Sequence, residues 1–184
     1  DVYKRQTIGN ALDFGDMTQV VRHGSQFASP TRGVFAGGYR NPQNENYSEF
    51  QSVTIASKGN SINFGNLSVV RRGQAGFSNS VRGIQGGGIS NAVVTSIESL
   101  TIASGGDETV FGDLSLARRS GAAGNNATRA VYMSGTTAFP AGQVNIIDAI
   151  SISTSGNTTD FGDTSHTVGQ TSGVSDSHGG LGGF

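Results

Sequence analysis

The chain has 184 residues, 34% hydrophobic and 14% charged, with a formal net charge of −1, a balance that excludes both a basic field for nucleic acid and an acidic solvating tail. It has no cysteine, which rules out disulfides, thiolate metal sites and a cysteine nucleophile. No apolar run approaches the roughly 20 residues that cross a bilayer, so membrane insertion through a helix is not expected.

The first six residues, Asp1-Val2-Tyr3-Lys4-Arg5-Gln6, stand where later copies of a repeat carry an alternating strand, and are read as a foreign segment. From residue 7 the chain repeats itself. Asp13-Phe14-Gly15-Asp16 returns as Asn63-Phe64-Gly65-Asn66, Val110-Phe111-Gly112-Asp113 and Asp160-Phe161-Gly162-Asp163, so the phenylalanines fall 50, 47 and 50 residues apart. A second column keeps the same register. Thr31-Arg32-Gly33-Val34-Phe35-Ala36-Gly37-Gly38 recurs from Val81 to Gly88, from Thr128 to Gly135 and, with one deletion, from Ser177 to Phe184. Repeat units of about 7–48, 49–94, 95–145 and 146–184 follow, and a period of this length predicts a propeller or an array.

Within one unit the first predicted strand alternates apolar and polar residues, as in Val53-Thr54-Ile55-Ala56, with Leu100 and Ile102, or Ile150 and Ile152, as equivalents. Gly9-Asn10, Gly59-Asn60, Gly106-Asp107 and Gly156-Asn157 then reverse the chain, because Gly and Asn accept the backbone of a tight hairpin. The second strand carries Phe64 and Leu67, or Phe111 and Leu114, whose apolar surface is to be buried between sheets. It ends in an arginine pair, Arg71-Arg72 or Arg118-Arg119. The third uses small residues, Ala75-Gly76-Phe77-Ser78 or Gly121-Ala122-Ala123-Gly124, suited to crowding around an axis. The fourth is the Val34-Phe35-Ala36 or Val131-Tyr132-Met133 strand, closed by glycines.

Four strands in about fifty residues make one propeller blade. The hydrophobic strand ending in a double glycine, Val34-Phe35-Ala36-Gly37-Gly38 and Ile84-Gln85-Gly86-Gly87-Gly88, resembles the Kelch family. The chain has no Trp, and the four repeat phenylalanines take the place of the Kelch tryptophan. The resemblance implies an all-β β-propeller of about four Kelch-like four-stranded antiparallel blades, an open excerpt of a larger ring. The Arg-Gly-Val-Phe-Ala-Gly-Gly and Asp-Phe-Gly-Asp wording is also similar to repeat arrays of tail-fibre and appendage proteins of marine phages. Regulator-of-chromosome-condensation repeats have a similar length, but their tryptophan and glutamine signature is absent.

The polar columns read as structure. Asn10, Asp13 and Asp16 offer oxygen ligands, yet the second copy is all amide and the third has Val110 at the middle position, so turn capping is expected and no metal. Arginines 32, 82 and 129, and 22, 72 and 119, recur in the repeat and are expected to pair with Asp16, Asp113 or Asp163. His23, His166 and His178 fall at different phases, and no Gly-x-Ser-x-Gly elbow occurs, so neither catalysis nor a cofactor is expected.

One phase varies in length. The connection after the glycine strand is Ile89-Ser90-Asn91 in the second copy, Tyr39 to Tyr47 in the first, and gains Thr136 to Gln143 in the third. Variable loops at one phase gather on one face, where a rigid scaffold carries binding residues. Tyr39, Arg40, Asn44, Tyr47, Phe139 and Gln143 are the candidates to hydrogen-bond and stack on a sugar. The expected function is non-enzymatic recognition of a cell-surface glycan or protein, in a phage tail appendage or secreted adhesin and hence extracellular or virion-associated. The alternatives are the scaffold of a galactose oxidase-like propeller enzyme and an intracellular Kelch adaptor.

Overall fold

A computed structural model describes residues 10–138 and 141–175. These form three antiparallel sheets. The first contains β1 (Val21–Arg22), β2 (Ser25–Ala28), β3 (Arg32–Arg40), β4 (Glu45–Thr54) and β5 (Ile62–Asn66). The second contains β6 (Ala75–Ser78), β7 (Arg82–Gly86), β8 (Ser96–Thr101) and β9 (Thr109–Asp113). The third contains β10 (Ala122–Asn125), β11 (Arg129–Met133), β12 (Val144–Ser151) and β13 (Thr159–Val168). Strands pair in chain order from the small-residue strand to the phenylalanine strand, as blades would; β1 pairs instead with the far end of β3. Each sheet joins the small-residue and glycine strands of one repeat unit to the alternating and phenylalanine strands of the next, so the sheets straddle the unit boundaries. Asp1 to Gln6 and the glycine-rich copy at 177–184 lie outside the described residues.

The core lies between sheets. Phe27, Val34, Phe50 and Leu67 on the first sheet's side pack with Leu100 and Ile102, while Phe77, Ile84, Ile97 and Phe111 pack with Tyr132, Ile150 and Ile152. Each such side chain contributes about 1.5–3 kcal/mol on burial. The same columns lose their cover at the two end sheets. Ile55, equivalent to the buried Ile102 and Ile152, is 48% exposed, since no sheet among the described residues covers it. Phe161, equivalent to the buried Phe111, is 57% exposed on the last sheet.

Small residues bring the β2, β6 and β10 edges together as the sequence predicts, and a chain of polar contacts crosses them. Ser78 Oγ donates to Ala28 O at 2.7 Å, Asn125 Nδ2 donates to Ser78 O at 2.5 Å, and Ser175 Oγ donates to Asn125 Oδ1 at 3.2 Å.

At the opposite edge the phenylalanine strands β5 and β9 each dock on the hairpin of the next sheet. Gly106 N donates to Phe64 O and Gly156 N to Phe111 O, at 2.9 and 2.8 Å. The Asx columns cap these junctions: Asn66 N donates to Asp107 Oδ1, Asp113 N to Asn157 Oδ1, and Gly65 N to Asn63 Oδ1. Residues 10–18 dock in the same way, with Gly59 N donating to Phe14 O and Asp16 N to Asn60 Oδ1, both at 2.9 Å.

The contact is so close that a Cβ on Gly15, Gly65 or Gly112 would lie under 3.0 Å from the carbonyl oxygen of Gly59, Gly106 or Gly156. Gly112→Ala is therefore expected to push the third sheet's hairpin outward and to cost about 1–3 kcal/mol, as overpacking does, read by chemical denaturation. An unchanged midpoint would refute this.

Arg32 and Arg82 of the first arginine column are structural, but their partners differ from the aspartates expected. Arg32 stacks on Phe64 at 4.6 Å and donates to Ile102 O and Ala103 O of the next sheet, at 2.7 and 3.0 Å. Arg82 repeats this on Phe111, Ile152 O and Ser153 O. Main-chain carbonyls, available whatever the side chain, replace the carboxylates.

Candidate functional site

The connections of variable length lie at the same end of their sheets, between β3 and β4, β7 and β8, and β11 and β12. The first is no irregular loop. β3 and β4 extend as a ladder to Arg40 and Glu45, with one register shift between Ala36 and Gly38, so residues 41–44 alone form the turn, with Asn44 at a φ of 58°. The third is held by bridges of Thr136 to Arg119 and to Gln143.

This geometry separates the candidate residues. Tyr39 and Arg40 end β3, Asn44 is exposed in the turn, and Tyr47 lies within β4. Gln143 is exposed on the third sheet's hairpin, two sheets away from the other four, and Phe139 lies outside the described residues. Tyr47 is buried, its hydroxyl bonded to Glu49 and its ring covered by the Arg40 guanidinium at 4.9 Å. Burial, followed by the hydrogen bond to Glu49, pushes its phenol up to about 12. Tyr47 therefore supports the hairpin and offers no face to a ligand. Arg40 is likewise engaged, in an ion pair with Glu45 across the turn.

Tyr39 is the half-buried aromatic that remains. The guanidinium carbons of Arg22 and Arg72 lie 5.2 and 4.5 Å from its ring centroid, and its hydroxyl donates to Asn44 Oδ1 at 3.3 Å. Arg72 NH1 also donates to Asn46 Oδ1 at 2.6 Å, and Asn46 Nδ2 donates to Ile89 O of the second sheet. The hairpin is thus pinned to its neighbour before any ligand arrives, which lowers the ordering cost of binding. The repeat pattern marks Arg22 and Arg72 as structural, yet the ring they flank makes them members of the surface cluster. Asn46 carries no signal in the sequence, since its partners belong to another repeat.

Arginine faces and donor forks suit planar anions, carboxylates above all. The aromatic ring is already engaged by two cations, so stacking of a neutral sugar on Tyr39 would have to displace one of them.

A second polar group is sealed between sheets. Arg71 is fully buried and donates to Glu98 Oε2 at 2.5 Å, Ser96 O at 3.0 Å and Gly87 O at 3.2 Å. Glu108 lies 3.9 Å from Arg71, and Gln85 Nε2 donates to Glu108 Oε1 at 2.7 Å. Burial, then the hydrogen bond and charge of Glu98, push Glu108 up to about 9. Burial alone would also raise Glu98, but hydrogen bonds from Glu108 and Ser68 and the Arg71 charge hold it below the usual carboxylate range. One proton therefore resides on Glu108 at neutral pH and is donated to Glu98. Perturbed carboxyls often mark active sites; these are sealed by the sheets and weld them together.

At the next junction Arg118, also fully buried, forms an ion pair with Asp148 Oδ2 at 3.0 Å, donates to Tyr132 O at 3.3 Å and stacks on the Tyr132 ring at 4.9 Å. Among the described residues no three His, Asp or Glu side chains gather as a metal ion would need, and no helix is long and apolar enough to cross a membrane. Compared with known proteins, the chain matches no family model and no curated sequence is similar enough to count as a relative.

Proposed function

We propose that this chain is a non-enzymatic recognition module of β-propeller type whose β3–β4 hairpin end binds acidic groups of a cell-surface glycan or protein. The observation that carries the reading is the half-exposed Tyr39 flanked by Arg22 and Arg72 on a hairpin already pinned to the second sheet. A rigid scaffold carrying one exposed arginine–tyrosine cluster, with its buried carboxyls sealed from solvent, fits binding better than turnover. The Kelch-like and tail-fibre-like wording of the repeats supports reading such a module as part of a phage appendage or a secreted adhesin, outside the cell.

The test is binding of the folded chain to immobilised glycans bearing sialic or uronic acids, against their neutral counterparts. Tyr39→Ala or Arg72→Ala is expected to weaken binding about tenfold, equivalent to ~1.4 kcal/mol. Tyr47→Phe, which keeps the buried ring, is expected to leave it unchanged. A folded chain that binds acidic and neutral glycans equally, or neither, would refute the assignment.

A further inference from the structure

The junction between the second and third sheets carries more polar chemistry than its structural task needs. Arg82 stacks on Phe111 at 5.3 Å and spends NH1 on the carbonyls of Ile152 and Ser153, at 2.8 and 3.0 Å. Its Nε and NH2 have no hydrogen-bond partner among the described residues. That edge is the fork with which a guanidinium grips a planar carboxylate through two parallel bonds. The ring and the two carbonyls fix its position before any ligand arrives, which lowers the ordering cost of binding.

Arg82 lines an open cavity of about 410 Å³ together with Ser99, Thr109, Ser153, Thr154 and Ser155, a volume within the range of small-molecule sites. Thr109 Oγ1 donates to Ser99 O at 3.4 Å, while the hydroxyls of Ser99, Ser153, Thr154 and Ser155 have no hydrogen-bond partner among the described residues. Ser99 is buried and the other four are exposed, so the hydroxyls run from the floor of the cavity to its rim. They do not serve the fold. At the first junction Arg32 makes the same stack and the same pair of carbonyl bonds, with Ile62, Ala103 and Gly105 where this one has Thr109, Ser153 and Ser155. Arg82 is the one charged side chain lining the cavity, and Asp107 lines an adjoining one of about 190 Å³ that Arg82, Ser99 and Thr109 share.

We infer that this cavity binds a hydroxylated monocarboxylate of monosaccharide size, the uronic acid class, with the carboxylate on the Nε–NH2 edge of Arg82 and the sugar hydroxyls among those of Ser99, Thr109 and residues 153–155. A serine or threonine hydroxyl both donates and accepts, so the row serves sugar hydroxyls in either sense. The charge selects a carboxylate over a phosphate ester: one guanidinium balances a single negative charge, and a second would find no cation and would face Asp107. Arg82 stands at the start of β7, paired with Thr101, whereas the connection that corresponds to the Tyr39 hairpin leaves the other end of that strand. The two sites are therefore separate, and this one does not rest on the recognition reading.

The test is a titration of the isotope-labelled full chain with free glucuronate, followed by amide chemical shifts, with glucose and glucose 6-phosphate as comparators. The amides of Thr109, Val110 and residues 153–155 are expected to move with glucuronate, and both comparators to bind about tenfold more weakly. Arg82→Lys keeps the charge and loses the fork, and is expected to weaken glucuronate about tenfold. Thr109→Val, an isostere on an exposed position where the first junction carries Ile62, is expected to fold as the parent does and to weaken it about fivefold. Tyr39→Ala is expected to leave these shifts unchanged. Glucuronate shifts confined to the Tyr39 hairpin, an equal response to glucose, tighter binding of glucose 6-phosphate, or parental affinity in either Arg82→Lys or Thr109→Val would each overturn the inference. The shifts report the two sites separately, so failure at this cavity and failure at the Tyr39 hairpin are told apart in one titration.

Discussion

Arg71→Ala is expected to remove about 3–5 kcal/mol of folding stability, the usual loss when one partner of a buried ion pair is deleted. Arg71 has no solvent exposure, and its guanidinium serves Glu98, Ser96 and the Gly87 carbonyl at once. Without it the Glu98 charge stays between two sheets with no cation, and the main-chain acceptors lose their donor. Lowering the pH, or adding Glu98→Gln, removes that stranded charge, so both are expected to recover part of the loss. The neighbouring Arg72→Ala is the control. That side chain is half-exposed, with a stacked ring and one amide oxygen as partners, and its removal is expected to cost no more than about 1 kcal/mol. Equilibrium denaturation of the parent and these three variants decides the matter, and equal losses for Arg71→Ala and Arg72→Ala would refute the assignment of the buried cluster as the weld between sheets.

These arginines show how far the repeats could be read. Strands, hairpins and the apolar columns were legible because each recurs at the same phase and answers to local rules: alternation, Gly-Asx turns and large rings. What lies across a junction was not. Glu98 recurs as Asp148, but its first-sheet counterpart is Gln51, and Glu108 has Ser61 and Thr158 as counterparts, so neither position is acidic in every copy, and the recurrent aspartates drew the arginines' expected partners to the wrong place. The phase of the sheets was equally hidden, since a periodic pattern does not say where one sheet stops. Tyr47 reads as a loop residue because the Tyr39 to Tyr47 stretch is polar; it is buried because the hairpin continues the β3–β4 ladder and folds Arg40 over the ring. Ile55 is the converse case. Its alternation predicts burial correctly for Ile102 and Ile152, but a face is buried only where another sheet covers it.

The proton on Glu108 gives the second large effect. A carboxyl whose pKa is raised in the folded state, here to about 9, contributes stability that is fully present below its unfolded value and is lost as pH rises through the folded value. Folding therefore retains a proton that the unfolded chain releases, and stability is expected to fall from about pH 5 to pH 9, at up to ~1.4 kcal/mol per pH unit. Glu98 runs the other way. Its lowered pKa contributes stability above the usual carboxylate range, lost as the pH falls through the folded value, so the optimum lies in mild acid between the two. Glu108→Gln fixes the protonated arrangement, since its amide can donate to Glu98 as the carboxylic acid does and its oxygen can still accept from Gln85. The variant is expected to match the parent near pH 5 and to exceed it by on the order of 2 kcal/mol at pH 8. Denaturation midpoints measured across that range test the account. Parallel pH profiles for the two proteins would mean that Glu108 is ionised in the folded state, with both its charge and that of Glu98 resting on Arg71 alone.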